Sequence, residues 1–101
     1  MLTVMCKGSN QYLDMCRLNS LGFKFIGHQV LQKTYVQNKC RLDIEGTHSF
    51  LWLTADYQSD IPVIYSAALV QQDYAPIKGT GIATAKTLDQ LLDDIIYVAN
   101  N

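Results

Sequence analysis

Residues 36–55 constrain the fold more than any other part of the chain. Apolar and polar side chains alternate over residues 40–45, a period of two that is typical of a strand with one buried and one wet face. Residues 45–47 break this pattern with a turn, and the apolar run over 50–53 predicts a central strand that is covered on both sides. We therefore expect a hairpin at the middle of a small sheet, with Trp52 in the core.

The remaining segments give the order of elements. The chain predicts a strand over 2–6, a helix over 11–21, a strand over 23–32, the two strands of the central hairpin, a strand over 61–70 and a helix from 87 onward. This order, β-α-β-β-β-β-α, predicts an α+β fold with an antiparallel sheet of four to five strands packed against two helices. At 101 residues, 49% of them hydrophobic, the chain is expected to form a single domain, 1–101.

Short motifs predict where several elements begin and end. Gly22 suits the left-handed position after the last turn of the first helix, and Gly27 predicts a bulge or a close backbone approach in the strand that follows. The turn after that strand falls at residues 33–34, or the strand runs on to residues 35–36 and the turn falls at residues 38–39. Thr87 forms a capping-box pattern with the glutamine three residues later, so the last helix is expected to begin there.

Cysteine usage and the lack of long apolar runs bear on the compartment. The chain has three cysteines and no C-x-x-C motif, which favours a reducing compartment and thiols that act as small packing residues. Cys40 is predicted to point inward from its strand, and Cys16 to lie with Tyr12 and Leu13 on the inner face of the first helix. No signal peptide or membrane-spanning run is visible, so we expect a cytoplasmic protein without a membrane partner.

The two halves of the chain carry opposite charge. Residues 1–41 hold six cations and one acid, whereas residues 42–101 hold two cations and eight acids, although the formal net charge of the whole chain is only −1. The sign changes between Arg41 and Asp43, which the alternation places on the same face of one strand. This division predicts two candidate surfaces for macromolecular partners.

Motifs for catalysis, metals and cofactors are weak. The glycines within 77–81 would let backbone N–H groups converge on an anion, but their spacing matches neither a P-loop nor a dinucleotide site. The loop over 71–81 is therefore expected to be a flexible connection. His48 is near several acids in sequence, yet a zinc site needs about three ligands on converging side chains, and no Ser or Cys stands in a pattern with a His and an acid. We expect no enzymatic activity, no metal and no cofactor.

The acidic half supplies the first candidate binding surface. Three aspartates of the last helix and two of a predicted polar loop over 56–60 would present a negative surface to a basic partner protein. These residues are Asp89, Asp93, Asp94, Asp56 and Asp60. The ordinary interpretation is charge that keeps the protein in solution.

The basic half supplies the alternative surface. Four cations with Phe23 and Tyr35 between them would make a cationic sheet face, which follows a nucleic-acid backbone and stacks bases. They are Lys24, Lys33, Lys39 and Arg41. The ordinary interpretation is a set of cross-strand pairs with acids of neighbouring strands.

Together these patterns favour a small non-enzymatic interaction protein. We expect it to bind another macromolecule, with a protein as the first choice, through a charged surface, in the manner of inhibitors and accessory factors of phages and mobile elements. Nucleic-acid binding through the basic residues is the first alternative, and a small ligand-binding domain or enzyme that uses the 71–81 loop is the second. The same pattern is compatible with a homodimer through a sheet edge.

Overall fold

A computed structural model describes residues 7–71 and 78–99. The elements are α1 (Asn10–Ser20), β1 (Lys24–Gln32), β2 (Tyr35–Asp43), β3 (Ser49–Gln58), β4 (Ile61–Gln71), β5 (Lys78–Ala85) and α2 (Leu88–Ala99). The strands form one antiparallel sheet in which each pairs with its neighbours in sequence, in the order β1-β2-β3-β4-β5. The predicted α+β class, with a five-stranded antiparallel sheet and two helices, is confirmed. The predicted strand over 2–6 lies outside the described residues.

The predicted signals at element ends are mostly confirmed. Residues 33–34 form the turn between β1 and β2, and a register shift in the pairing with β2 falls at Gly27. Gly22 has a φ of 100°, and a Cβ there would meet the side chain of Leu42 at 3.2 Å, so glycine suits the position doubly. The hydroxyl of Thr87 accepts from a backbone N–H at 3.2 Å in the first turn of α2, as an N-cap does.

The predicted polar loop over 56–60 is wrong. β3 continues through Asp56 to Gln58, and only Ser59 and Asp60 form the turn, with φ values of 50° and 64°. Two-residue turns with positive φ match the right-handed twist of paired strands, so the strands stay paired up to the turn. Asp56 therefore lies in the sheet and not in a loop.

The predicted loop over 71–81 is also partly wrong. Residues 78–81 belong to β5 and pair with the end of β4, while residues 72–77 lie outside the described residues. Gly79 and Gly81 predict a loop because glycine has a low strand propensity, but cross-strand pairing overrides that preference at the edge of this sheet. The proposed anion cradle thus falls largely on a strand.

The inner face of α1 differs from the expected one. Met15 and Leu18 are buried, whereas Leu13 and Cys16 are exposed. The prediction failed because Asp14 also turns toward the sheet, and a carboxylate on the inner face hides the helical spacing of the apolar residues. Cys16 is therefore not the packing residue that we expected.

The core lies between the two helices and one face of the sheet. Its fully buried side chains include Leu18, Cys40, Leu53, Tyr57 and Leu91. Cys40 is inward, as predicted. Within the part of the chain that the structure describes, neither α1 nor α2 has the length and apolar character that a membrane crossing requires.

Both described helices cover the same side of the sheet. In β3, Leu53 and Tyr57 point toward the helices, so the alternation turns Phe50 and Trp52 to the other side. The prediction that Trp52 lies in the core is wrong, since its side chain is half-buried on the side opposite the helices. We call that side the open face.

Candidate interaction surface

Two rows of side chains run across the strands at the centre of the open face. Residues paired directly on antiparallel strands point to the same side of a sheet. The register gives a first row of Lys39, Thr54, Ser66 and Thr84. It gives a second row of Arg41, Trp52, Ala68 and Gly81. The first row is polar throughout, and the second changes from large to small side chains between β3 and β4.

A trough of about 660 Å³ occupies the part of the open face where the second row becomes small. Trp52 lies on one side of it, and Gly81 on the other has open space where a Cβ would point. The polar side chains that line it belong to Gln37, Lys39, Thr54, Ser66 and Thr84. None of these is a carboxylate, so the lining offers hydrogen-bond donors and a single positive charge.

Two cations lie over two aromatic rings beside the trough. The Nζ of Lys39 is 5.4 Å from the ring centroid of Trp52, and the Cζ of Arg41 is 3.8 Å from that of Phe50. The two rings are themselves 6.0 Å apart and tilted by 38°. Because the face of an aromatic ring carries negative partial charge, it attracts a cation placed over it. Phe50 is buried, whereas Trp52 is partly exposed.

Two carboxylates share the open face with these cations. The Nε of Arg41 is 2.7 Å from Oδ1 of Asp43, which confirms that the two residues lie on the same face. Asp56 accepts from the hydroxyl of Tyr35 at 2.7 Å and from the amide of Gln37 at 3.1 Å. The hydrogen bond to Asp56 raises the pKa of Tyr35 above its usual value. Both carboxylates are therefore engaged by their neighbours on the sheet.

The structure brings three of the four predicted basic residues together. Lys24 pairs with Arg41 in the register of β1 and β2, so it joins Arg41 and Lys39 on the open face. Lys33 lies in the turn at the end of the sheet. Among the side chains that the structure describes, three cations and two carboxylates share this face, which gives it only a small positive excess.

The predicted acidic residues are dispersed and mostly have partners within the chain. Asp60 accepts from the backbone N–H groups of Asn10 and Gln11 at 2.7 and 3.0 Å, so it caps α1. On α2, Asp89 pairs with Arg17 of α1, and Asp94 accepts from Gln90 at 2.8 Å. Asp56 lies on the open face, on the side of the sheet away from α1 and α2. Asp93 is exposed on α2.

A buried polar chain joins α1 to the sheet, and our reading of the sequence does not predict it. The Nδ1–H of His28 donates to Oδ1 of Asn38 at 2.6 Å, and the amide of Asn38 donates to Gln11 at 3.1 Å. Asn38 is completely buried. Because each partner lies on a different element, this chain fixes α1 over β1 and β2. Asn38 occupies an inward position in the alternation of β2, which is the signal that would have marked it.

Histidines and acids do not gather elsewhere in a metal-binding arrangement. Within residues 7–71 and 78–99, no group of three His, Cys, Asp or Glu side chains is placed to hold a metal ion. His48 is exposed in the loop between β2 and β3. The open face is thus the surface whose chemistry is most distinctive.

Comparison with known proteins leaves that chemistry as the guide to function. No protein-family model matches the chain, and neither the curated proteins nor the solved structures give a significant match. The open face could have been suspected from the sequence, since residues 50, 52 and 54 alternate with inward residues of the same strand. The sequence does not show on which side of the sheet the helices pack.

Proposed function

We propose that this chain is a non-enzymatic interaction protein that binds another protein through its open face. The observation that carries the proposal is the pair of aromatic rings on this face, each beneath a cation. Tryptophan and arginine are the side chains most enriched among residues that dominate binding energy at protein interfaces. The central position of Trp52 in the sheet, beside the trough, suits an anchor surrounded by polar residues.

The charges of the molecule support this location over the acidic surface predicted from sequence. Asp60 caps a helix, and Asp89 pairs with Arg17, so neither offers a free carboxylate to a basic partner. The open face has nearly balanced charges, which suits a partner protein better than a polyanion.

Two finer parts of the proposal concern setting and role. A cytoplasmic location is supported by the free thiols of Cys16 and Cys40. By analogy, a small domain with one binding face suits the role of an inhibitor or accessory factor of phage or mobile-element type.

Affinity capture from native lysate with matched variants tests the proposal. Thr84 is exposed at the margin of the trough, so Thr84→Arg obstructs the trough without removing a buried side chain. Trp52→Ala removes the anchor. We expect both variants to lose the protein that the wild type captures, by roughly tenfold or more in recovery, since an interface anchor contributes about 2 kcal/mol.

The matched control adds the same arginine on the other side of the molecule. Asn19 is exposed on α1, and Asn19→Arg should capture the partner as the wild type does. Circular dichroism of each variant verifies the fold. If the Thr84→Arg and Trp52→Ala proteins are folded and still capture the partner, the open face is not the interface.

Single-stranded nucleic acid is the second candidate partner, and a specific observation favours it. Lys24, Lys39 and Arg41 converge on one sheet face beside the half-exposed ring of Trp52. Cations follow a phosphate backbone while an aromatic ring stacks on a base. The small positive excess of the face places this candidate second.

Salt dependence separates the two candidates. With a labelled single-stranded oligonucleotide, a nucleic-acid binder loses affinity steeply as salt rises, and Lys39→Ala with Arg41→Ala lowers the slope of log K against log salt by about 1.4, at roughly 0.7 per phosphate contact. An absence of binding at low salt would rule this candidate out.

A further inference from the structure

A second surface lies on the helix side of the sheet, away from the open face. It is a groove of about 360 Å³ between α1 and α2. Its floor is apolar and is made by Phe23, Leu42 and Leu51. Leu21 beside α1 and Ile96 of α2 line its walls. The groove is therefore a hydrophobic slot between two helical walls.

The walls of this groove expose large apolar side chains. Leu21 is 51% exposed and Ile96 is 58% exposed, although each stands next to an apolar floor. Contiguous apolar surface with a charged margin is typical of a site where another protein surface packs. Burial of both side chains would stabilise a complex through the hydrophobic effect.

The charges at the margins of the groove have opposite sign on its two walls. Arg17 belongs to the α1 wall and Asp93 to the α2 wall. Arg17 pairs with Asp89 across the helices, and Asp93 lies one turn further along α2, on the same side of that helix as Asp89. The side chain of Arg17 remains 47% exposed, and a guanidinium has five N–H donors, so it has capacity for a second carboxylate.

We propose that a second copy of this chain occupies the groove and forms a two-fold symmetric dimer. A copy turned by 180° about the long axis of the groove places its α1 over α2 of the first copy. Arg17 of one copy then meets Asp93 of the other, and Leu21 meets Ile96, and each contact occurs twice. A surface with one cationic wall and one anionic wall is complementary to itself in this way.

Self-complementarity is what favours a second copy over an unrelated partner. A uniformly acidic partner would be repelled by Asp89 and Asp93, and a uniformly basic partner would leave Arg17 without a second carboxylate. A copy of the chain satisfies both walls at once. The dimer leaves both open faces directed outward, so it does not compete with the partner proposed for that face.

Sedimentation equilibrium of the full chain over a concentration series tests this dimer. The wild type is expected to dimerise. Asp93→Arg and Arg17→Glu, taken singly, each replace two attractive pairs by two repulsive ones, and should raise the dimer dissociation constant by about tenfold or more. The double variant restores opposite charges and should recover most of the lost affinity.

A further variant tests the apolar contact. Because Ile96 is exposed, Ile96→Asp should leave the fold intact by circular dichroism and still shift the protein to monomer. Thr84→Arg on the open face is the control and should dimerise like the wild type, even where it loses the other partner, so the two proposals fail separately.

Three results would overturn the dimer. The first is a wild-type chain that stays monomeric up to its solubility limit. The second is a dimer that Ile96→Asp leaves unchanged, because the groove would then lie outside the interface. The third is a double variant as monomeric as the single ones, because Arg17 and Asp93 would then not face each other across the two-fold axis.

Discussion

At the residue scale, Asp14 joins α1 to the sheet. Its Oδ2 accepts from the hydroxyls of Tyr57 and Tyr65 at 2.7 and 2.5 Å. The two rings meet edge to face, with centroids 6.2 Å apart, an arrangement that aromatic pairs favour. Tyr57 is completely buried, so its hydroxyl depends on Asp14 for a partner.

Loss of this carboxylate should destabilise the protein. Asp14→Ala leaves two hydroxyls without their acceptor, both of them on buried side chains, and we expect the free energy of unfolding to fall by about 2–4 kcal/mol. Urea denaturation measures the change. Asp43→Ala is the matched control, because its exposed pair with Arg41 should contribute less than about 1 kcal/mol. Equal losses in the two variants would contradict this role of Asp14.

At the scale of elements, α1 is fixed at both ends by different means. At its beginning, Asp60 of the β3–β4 turn accepts two backbone N–H groups, which are the groups that a helix leaves without partners. At its end, Gly22 allows the backbone N–H of Phe23 to reach the carbonyl of Leu18 at 3.0 Å, as in a Schellman motif. The hairpin turn therefore also determines where the helix lies.

Substitutions of Asp60 separate its two roles, as the acceptor at the start of α1 and as a turn residue with positive φ. Asp60→Gly keeps the positive φ but loses the acceptor, and should cost about 1 kcal/mol as other lost caps do. Asp60→Ala loses the acceptor and also strains the backbone at positive φ, so it should cost about 1–2 kcal/mol more than Asp60→Gly. Asp60→Asn retains an acceptor and tolerates positive φ, so it should lie nearest the wild type. Thermal and urea denaturation give the order, and a glycine variant as stable as the wild type would show that the cap is not needed.

The helices and strands differ in how well their sequence patterns predict them. α2 was predicted because its apolar stripe is uninterrupted, and the β2–β3 hairpin because its alternation is regular. The inner face of α1 was missed because Asp14 lies within it, and β5 because glycines mask a strand. The half-exposed Trp52 was placed in the core because both faces of β3 are apolar, and no local pattern tells which face the helices cover.

At the scale of the whole molecule, several buried groups respond to pH together. Burial raises the pKa of the Cys40 thiol from 9.0 to about 11. Burial and then the hydrogen bonds to Asp14 raise the pKa of Tyr57 and of Tyr65 above the ordinary value of 10.0. The folded protein therefore keeps protons that the unfolded chain releases in alkaline solution.

Stability should consequently fall at high pH. Well below pH 9 both states hold these protons and the full stability is present. As the pH rises from 9 toward 11, the unfolded chain binds fewer protons than the folded one, so the free energy of unfolding decreases. Urea denaturation across this range measures the decrease, and Cys40→Ala should remove its earliest part. A level profile would mean that these groups ionise equally in both states.

The order of strands has a kinetic consequence. Each of the five described strands pairs with its neighbours in sequence, so the sheet can form by successive hairpin closures, each across a short loop. Small sequence separation between contacting residues is what makes proteins fold rapidly. The exceptions are the contacts of α1 with the sheet, such as the one between Asp60 and Asn10, which are 50 positions apart. We expect the sheet to assemble first and the arrival of α1 on its finished hairpin turn to complete folding.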